Sequence, residues 1–459
     1  MLDRKQILAD PEAVVRNAAR RGVDVDIDAI VQLETRRKAC MAEAESFNRS
    51  ANQTQKQIKS ASPEQRQSLI DQGRELRGKK DAASKELETI DAELDGLIRS
   101  LPNWTHDDVP EGGEDDAVEL SRGKTPIREF GFTPLDHVEL GQRHGWFDFE
   151  SAARVTGSGF YYLTGDAVRL DMALQMFAMS FLADRGFTMV TTPDMARTSI
   201  LEGIGFNPRG PETQIYSVEG TDLNLVGTAE ITLGGMYADQ VIDASRLPIL
   251  LCGLSHCFRT EAGAAGRATR GLYRVHQFTK VEMFAFTAAE DSDAMHTRLR
   301  DLECELFDAL EVPYRVIDTA AGDLGGPAHR KFDLEAWMPG RGAPAGDADT
   351  PGGDGAESPA KKSPTKTSPA RTSPTGQWGE VTSTSNCLDY QARRLNIRSK
   401  AAGVKGTQFV HTLNGTAVAT GRAMIAVLEN HQRADGTVNV PAALRPWVGA
   451  DAIGHARDG

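Results

Sequence analysis

Between Cys257 and Phe286 the chain reads CFRTEAGAAGRATRGLYRVHQFTKVEMFAF. The segment opens on Phe258-Arg259-Thr260-Glu261, passes through a loop of Gly, Ala and Arg, and returns as a strand-like run from Leu272 to Phe286. On the return, Arg274, His276, Phe278, Lys280 and Glu282 share parity, so a period-2 strand presents them on one face. Two cations, an imidazole, an aromatic ring and a carboxylate make a poor core face. They make a good floor for phosphate, purine and ammonium groups held together. The plainer alternative is an amphipathic hairpin with a solvated outer face. No GxxxxGK[ST] loop is present, nor a GxGxxG opening a helix, so a nucleotide site here must be built from side chains on a sheet. Upstream, Thr228-Ala229-Glu230 combines a hydroxyl and an acid able to bind an ammonium. It reads equally as a helix start, with Thr228 as N-cap ahead of EITLGGMY.

The elements that must carry these residues fall into zones. At 459 residues the chain has room for two or three domains. From Asp26 to Leu101 it is polar and poor in Gly, with a break at Ser60-Ala61-Ser62-Pro63. Beyond the break Leu87, Ile90, Leu94, Leu97 and Leu101 recur at spacings of 3, 4, 3 and 4, an a/d seam. Two long helices joined by a Ser/Pro tip predict an antiparallel hairpin. Asn103 to Gly123 is acidic and turn-rich, a linker composition. The body mixes strand-like runs (FTMVTT, LPILLCGL, Leu272 to Phe286) with helical stretches at Arg169–Arg185 and Ala294–Leu310, which predicts an α+β domain on a largely antiparallel sheet. Residues 341–377 lack apolar periodicity and carry Ser-Pro every five residues from Ser358 to Pro374, interleaved with Lys and Arg. Such a segment buries too little to offset its ordering entropy and is expected to be disordered, a tolerated loop expansion.

The net charge of −13 argues against a general nucleic-acid coat and against DNA as partner, without excluding an RNA read through local basic patches. Five cysteines without a CxxC pair suggest neither a disulfide framework nor zinc, and fit a reducing cytoplasm. No apolar run reaches membrane-spanning length, so a soluble, cytoplasmic protein is expected.

The segment from Phe258 to Phe286 resembles motif 2 of the class II aminoacyl-tRNA synthetases in its seryl version, and the resemblance covers nearly the whole chain apart from the Ser-Pro insert. Motif 1 resembles the helix-strand segment ending at Thr191-Thr192-Pro193, which in the family builds a dimer interface. Motif 3 resembles HTLNGTAVATGRAMIAVLEN, where Asn414-Gly415 reads as a turn and Arg422 starts a helix carrying Ile425 and Leu428 inward. The implied fold is a class II catalytic domain on an antiparallel sheet flanked by helices, preceded by a long α-helical coiled-coil hairpin. The implied organisation is a tRNA-binding domain over 1–104 with its arm at about 26–101, a linker over 105–123 and a catalytic domain over 124–459.

The resemblance also implies roles. Thr228, Ala229, Glu230, Glu282 and Thr416 would hold serine, Thr416 standing where many relatives have Ser. Arg259 would bridge the serine carboxylate and the α-phosphate. Thr260, Glu261, Arg274, Val275 and Phe278 would bind ATP, with Glu261 on the adenine amino group and Phe278 under the purine. Glu380, Val381, Thr382 and Ser383 resemble the ATP and metal segment, Glu380 and Ser383 offering oxygens to Mg²⁺. Arg422 would cover the adenine and reach the γ-phosphate. Arg259 and Arg422 are thus the catalytic cations. Arg267 and Arg270 would approach the tRNA acceptor end. The hairpin would grip the long variable arm of serine tRNA across a homodimer through Arg36, Arg37, Lys56, Lys59, Arg66, Arg74, Arg77, Lys79 and Lys80. Each of these alone reads more simply as a solvated helix face. The implied activity is serine–tRNA ligation, extending to selenocysteine tRNA where one exists. A paralogue loading a carrier protein is the alternative, and the retained hairpin argues against it.

Overall fold

The computed structural model describes residues 1–206, 214–261, 270–341 and 376–455. The expected helical hairpin is formed by α1 (Ile27–Ser60) and α2 (Pro63–Ser100). Asp26 caps α1 by accepting the Ala29 N–H at 2.9 Å, and Pro63 opens α2, where its missing N–H costs nothing. Ile90 and Leu94 are buried along the seam. At the base Ile98 is fully buried and Leu97 only partly, because a straight helix drifts from a 3.5-residue repeat where a globular unit packs on it. That unit shares a core (Leu2, Ile7, Val14, Ile30, Leu94, Ile98) with Tyr390 of the sheet domain. Nearer the tip the seam thins to small residues, Thr54 lying against Gly73.

The sheet has eight strands: β1 (Val118–Arg122), β2 (Thr188–Thr191), β3 (Ile249–Phe258), β4 (Gln277–Thr287), β5 (Tyr314–Asp318), β6 (Arg330–Met338), β7 (Gln377–Asn386) and β8 (His411–Ala419). Their order is β1-β5-β6-β7-β8-β4-β3-β2, antiparallel throughout except for β2 beside β3. One face is covered by helices α3 (His137–His144), α4 (Asp166–Ala183), α5 (Ser292–Ala309) and α6 (Thr420–His431), whose Leu170, Leu174, Leu299, Phe307, Ile425 and Leu428 pack with Val281, Met283 and Ala285 of β4. On the other face Phe284 and Phe286 of β4 enter a second core with Leu201, Ile204 and Ile231. Phe278, Lys280 and Glu282 have that same parity but lie beyond this second core, so the strand hands its polar half to an open cleft.

Four local expectations change. Val118–Arg122, at the end of the presumed linker, is the edge strand β1. The return strand begins at Gln277 rather than Leu272. Asn414-Gly415 is the middle of β8, not a turn: a Cβ on Gly415 would come within 3.0 Å of Glu303 Oε1 and Thr384 Oγ1, so glycine serves close approach. Gln377 belongs to β7, paired with Met338, and the Ser-Pro stretch falls on 342–375, outside the described residues. Among the described residues no helix is long and apolar enough to cross a membrane.

Candidate functional site

Two adjoining cavities open on the polar half of β4. The first, of about 130 Å³, is lined by Arg259, Glu261, Arg274, Val275, Phe278, Glu380, Val381, Thr382, Ser383 and Arg422. The second, of about 420 Å³, is lined by Thr228, Glu230, Glu282, Asn414 and the loop Gly325–Ala328. Arg259, Lys280, Ser383 and Thr416 border both. Ala229 is instead buried in the second core, and Thr260 lines neither cavity, its backbone N–H donating to Gln214 O at 3.2 Å.

Arg259 follows directly on β3. Its backbone N–H donates to His276 O at 2.9 Å, its Nε to Gly227 O at 3.3 Å, and its guanidinium lies 5.3 Å from the Phe278 ring centre. His276 does not face the cavities. Its Nδ1 sits 2.9 Å from Arg259 O and 3.0 Å from Tyr216 Oη, with its ring stacked on Phe160, so it supports Arg259 from behind. Glu261 holds a left-handed backbone (φ +50°), and its Oε2 accepts from Arg274 Nη1 at 2.6 Å. Arg422 lies on α6, with Nη1 3.2 Å from Glu380 Oε1 and its guanidinium 4.6 Å from the Tyr273 ring. Burial pushes the Glu380 carboxyl up, but the charges of Arg422, Lys331 and Arg259 outweigh it and hold the group below its usual range. Glu380 and Ser383 are three residues apart, a spacing that a regular strand splits between its faces. A bulge in β7, where Leu334 pairs Thr382 and Glu335 pairs Glu380, brings both to the first cavity.

In the second cavity Lys280 and Glu282 form a buried ion pair beneath Thr416, whose Oγ1 lies 3.3 Å from Lys280 Nζ and 3.4 Å from Glu282 Oε2. Glu230 Oε1 accepts from Gln391 Nε2 at 2.7 Å and Asn414 Nδ2 at 2.8 Å. Burial, with the Glu282 charge second, pushes the Glu230 carboxyl up to about 7. Thr228 accepts the Glu230 N–H at 3.2 Å, one residue before Ala229, which holds the capping position of the helix Glu230–Gly235. Asn414 was not among the expected ligands, and Lys280 was expected on the floor of the site without a role of its own. The signal for Asn414 was the alternation Thr412, Asn414, Thr416, which puts three polar groups on one face of a strand. Among the described residues, no group of three or more His, Cys, Asp or Glu is placed to hold a metal ion.

Around the site, Arg270 pairs with Asp136 at 3.1 Å, and Arg267 lies outside the described residues. On the hairpin, Arg36 pairs with Glu86, Arg37 with Asp91, Lys79 with Glu75 and Lys80 with Asp81. Lys56, Lys59, Arg66, Arg74 and Arg77 are exposed and make no ion pair with a described residue.

Comparison with known proteins agrees with this architecture. Residues 1–105 match the seryl-tRNA synthetase N-terminal domain, and residues 215–431 the tRNA synthetase class II core domain (G, H, P, S and T). The chain is 62% identical to the serine–tRNA ligase of Rhodopirellula baltica over 99% of each chain, and 49% identical to that of Rubrobacter xylanophilus over 100% of each. Its structure is similar to the Pyrococcus horikoshii seryl-tRNA synthetase complexed with ATP (TM-score 0.86, 36% identity, 100% of each chain). It is also similar to the Naegleria fowleri cytoplasmic enzyme in complex with AMP (TM-score 0.79, 28% identity, 98% and 96% covered). With both domains matched and full-length relatives this similar, the chain belongs to the seryl-tRNA synthetases, the class II serine–tRNA ligases.

Proposed function

We propose that the two cavities are the ATP and serine halves of one active site, joined by Arg259. The observation that carries this reading is that a single guanidinium borders both: an arginine-, carboxylate- and phenylalanine-lined nucleotide cavity, and an acid-lined cavity suited to an ammonium. Glu230 and Glu282 hold the serine amino and hydroxyl groups, with Thr416 and Asn414 completing the pocket. Phe278 and Arg422 sandwich the adenine, and Glu261 accepts from its amino group, releasing Arg274 for the γ-phosphate. The serine carboxylate oxygen then attacks the α-phosphorus. The bond from that phosphorus to the bridging oxygen breaks, pyrophosphate leaves, and seryl-adenylate remains. A terminal hydroxyl of the tRNA attacks the acyl carbon and gives up its proton, and AMP departs with the electrons of the acyl–oxygen bond. No side chain acts as a covalent nucleophile. Arg259 stabilises charge developing at the α-phosphate, and in-line positioning supplies much of the remainder. Glu380, kept ionised, and Ser383 would hold Mg²⁺, which when bound supplies charge neutralisation at the phosphates.

The reading places the tRNA-gripping unit at residues 1–104 and the catalytic unit, with its edge strand β1, from Val118 onward, joined by 105–117, in a cytoplasmic homodimer. Exposed Met172 and Met176 on α4 and Met189 on the edge strand β2 supply an apolar face for the second copy, across which the hairpin reaches the long arm of the bound tRNA. Serine-dependent exchange of pyrophosphate into ATP tests the site. Arg259→Ala is expected to lower it by about 10²–10³. Alanine in place of serine is expected to be disfavoured by about 10⁴, since it leaves the hydroxyl's partners unpaired. Equal exchange with serine and alanine would overturn the pocket assignment.

A further inference from the structure

Arg21 is a buried guanidinium. It follows the helix Pro11–Arg20 and is 5% exposed, and among the described residues no carboxylate pairs with it. Its donors go mainly to backbone carbonyls: Nη2 to Gly325 O at 2.7 Å and Leu324 O at 3.1 Å, Nη1 to Ala328 O at 3.0 Å and more weakly to Asn103 O at 3.4 Å and the Thr105 hydroxyl at 3.5 Å. Asn103 completes the clamp. Its backbone N–H donates to Gly326 O at 2.9 Å, and its Nδ2 to Pro327 O at 2.8 Å and Cys387 O at 2.9 Å. Every residue from Leu324 to Ala328 therefore has its carbonyl held from the N-terminal side.

That loop is a wall of the Glu230 cavity: Gly325, Gly326, Pro327, Ala328 and Cys387 all line it. Gly325 and Gly326 have no side chains with which to fix themselves, and a Cβ on either would meet nothing within 4 Å. An uncompensated buried charge is a costly way to join two units that already share an apolar core. A planar fork that gathers several carbonyls is, however, well suited to fixing a loop's shape. We propose that Arg21, acting with Asn103, is a positioning residue for serine binding, holding the 324–328 wall of the pocket from outside the catalytic domain. The inference rests on the reading of that cavity as the serine site. The nucleotide cavity shares none of these loop residues, so the effect is confined to serine.

Pyrophosphate exchange on the full-length protein without tRNA separates the possibilities. Serine-dependent exchange by the unaltered protein comes first; its absence would remove the site reading itself, whatever Arg21 does. With exchange in hand, Arg21→Met and Asn103→Ala should each raise the serine KM about tenfold while the ATP KM stays within about twofold. Tyr390→Phe is the control. It loses the Oη bond to Leu101 O (2.7 Å) and the bond from Arg394 Nη2 (2.7 Å), loosening the same junction while every hydrogen bond from Arg21 and Asn103 to the loop stays in place, and should leave both KM values in place. Should Arg21→Met fail to fold, Arg21→Lys and Asn103→Ala carry the test, with the smaller rise for lysine. Unchanged serine KM, parallel rises for serine and ATP, or a Tyr390→Phe rise equal to that of Arg21→Met would each overturn the proposal.

Discussion

Glu230 works against its surroundings. Burial and the Glu282 charge raise its carboxyl to about 7, while Gln391, Lys280 and Arg259 draw it back. Binding an ammonium requires the ionised form. Serine KM should therefore fall as pH rises from about 6 to about 8, by up to about tenfold per unit below the pKa, with ATP KM flat. A serine KM indifferent to pH would contradict the role. For folding the sign is opposite. The raised value favours the protonated form, so the group's contribution to stability is complete below its ordinary 4.5 and lost as pH climbs through 7. Asn414→Ala removes one donor to Glu230 and should raise serine KM by about ten- to a hundredfold, consistent with roughly 1.5–3 kcal/mol for a hydrogen bond to a charged group; no change would exclude Asn414 from serine binding. The sequence read Asn414-Gly415 as a turn because the deciding partner, Glu230, lies far away along the chain. Arg259, Glu261 and Phe278 were legible because their spacing within one hairpin is local.

At the scale of elements, β4 and β7 show what period-2 reading can and cannot reach. Phe278, Lys280 and Glu282 keep the expected parity because β4 is regular there. Arg274 and His276 precede the strand, so parity did not govern them, and His276 turns away to Tyr216 and Phe160. In β7 the bulge that brings Glu380 and Ser383 together leaves no mark in the residue pattern. The β6–β7 connection yields a further prediction. Met338 pairs with Gln377, so deleting Ala343–Thr375 leaves Pro339, Gly340, Arg341, Gly342 and Gly376 as a hairpin loop of ordinary length. Loop shortening of this kind changes closure entropy slowly. Serine activation should stay within about twofold of the full chain, given that Glu380 is held by Arg422 from α6 rather than by the loop. A large drop in activation would show that the segment shapes the site.

Across the whole molecule, the division of charge along the hairpin sets paired cations apart from unpaired ones, and the proposed reading gives tRNA recognition to the unpaired ones. Arg36 and Arg37, toward the base, spend their charge on Glu86 and Asp91, whereas Lys56, Lys59, Arg66, Arg74 and Arg77, toward the tip, have no such partner among the described residues. Changing Lys59, Arg66 and Arg74 to Gln should raise tRNA KM and flatten its salt dependence by up to about one logarithmic unit for each phosphate left without its cation, with tRNA-free exchange unaltered. An unchanged salt slope would return these cations to the solvated-face reading. The hairpin was legible in the sequence through its heptads, and its cations through their number; which of them are free depends on pairing across two helices, which no single-helix pattern states. The most direct measurement is serine transfer to two serine tRNA transcripts, one intact and one lacking the long variable arm, with ATP and Mg²⁺. Strong charging of the intact transcript and weak charging of the shortened one is the predicted result. Equal charging would contradict the hairpin's role, and charging of neither would contradict serine–tRNA ligation itself.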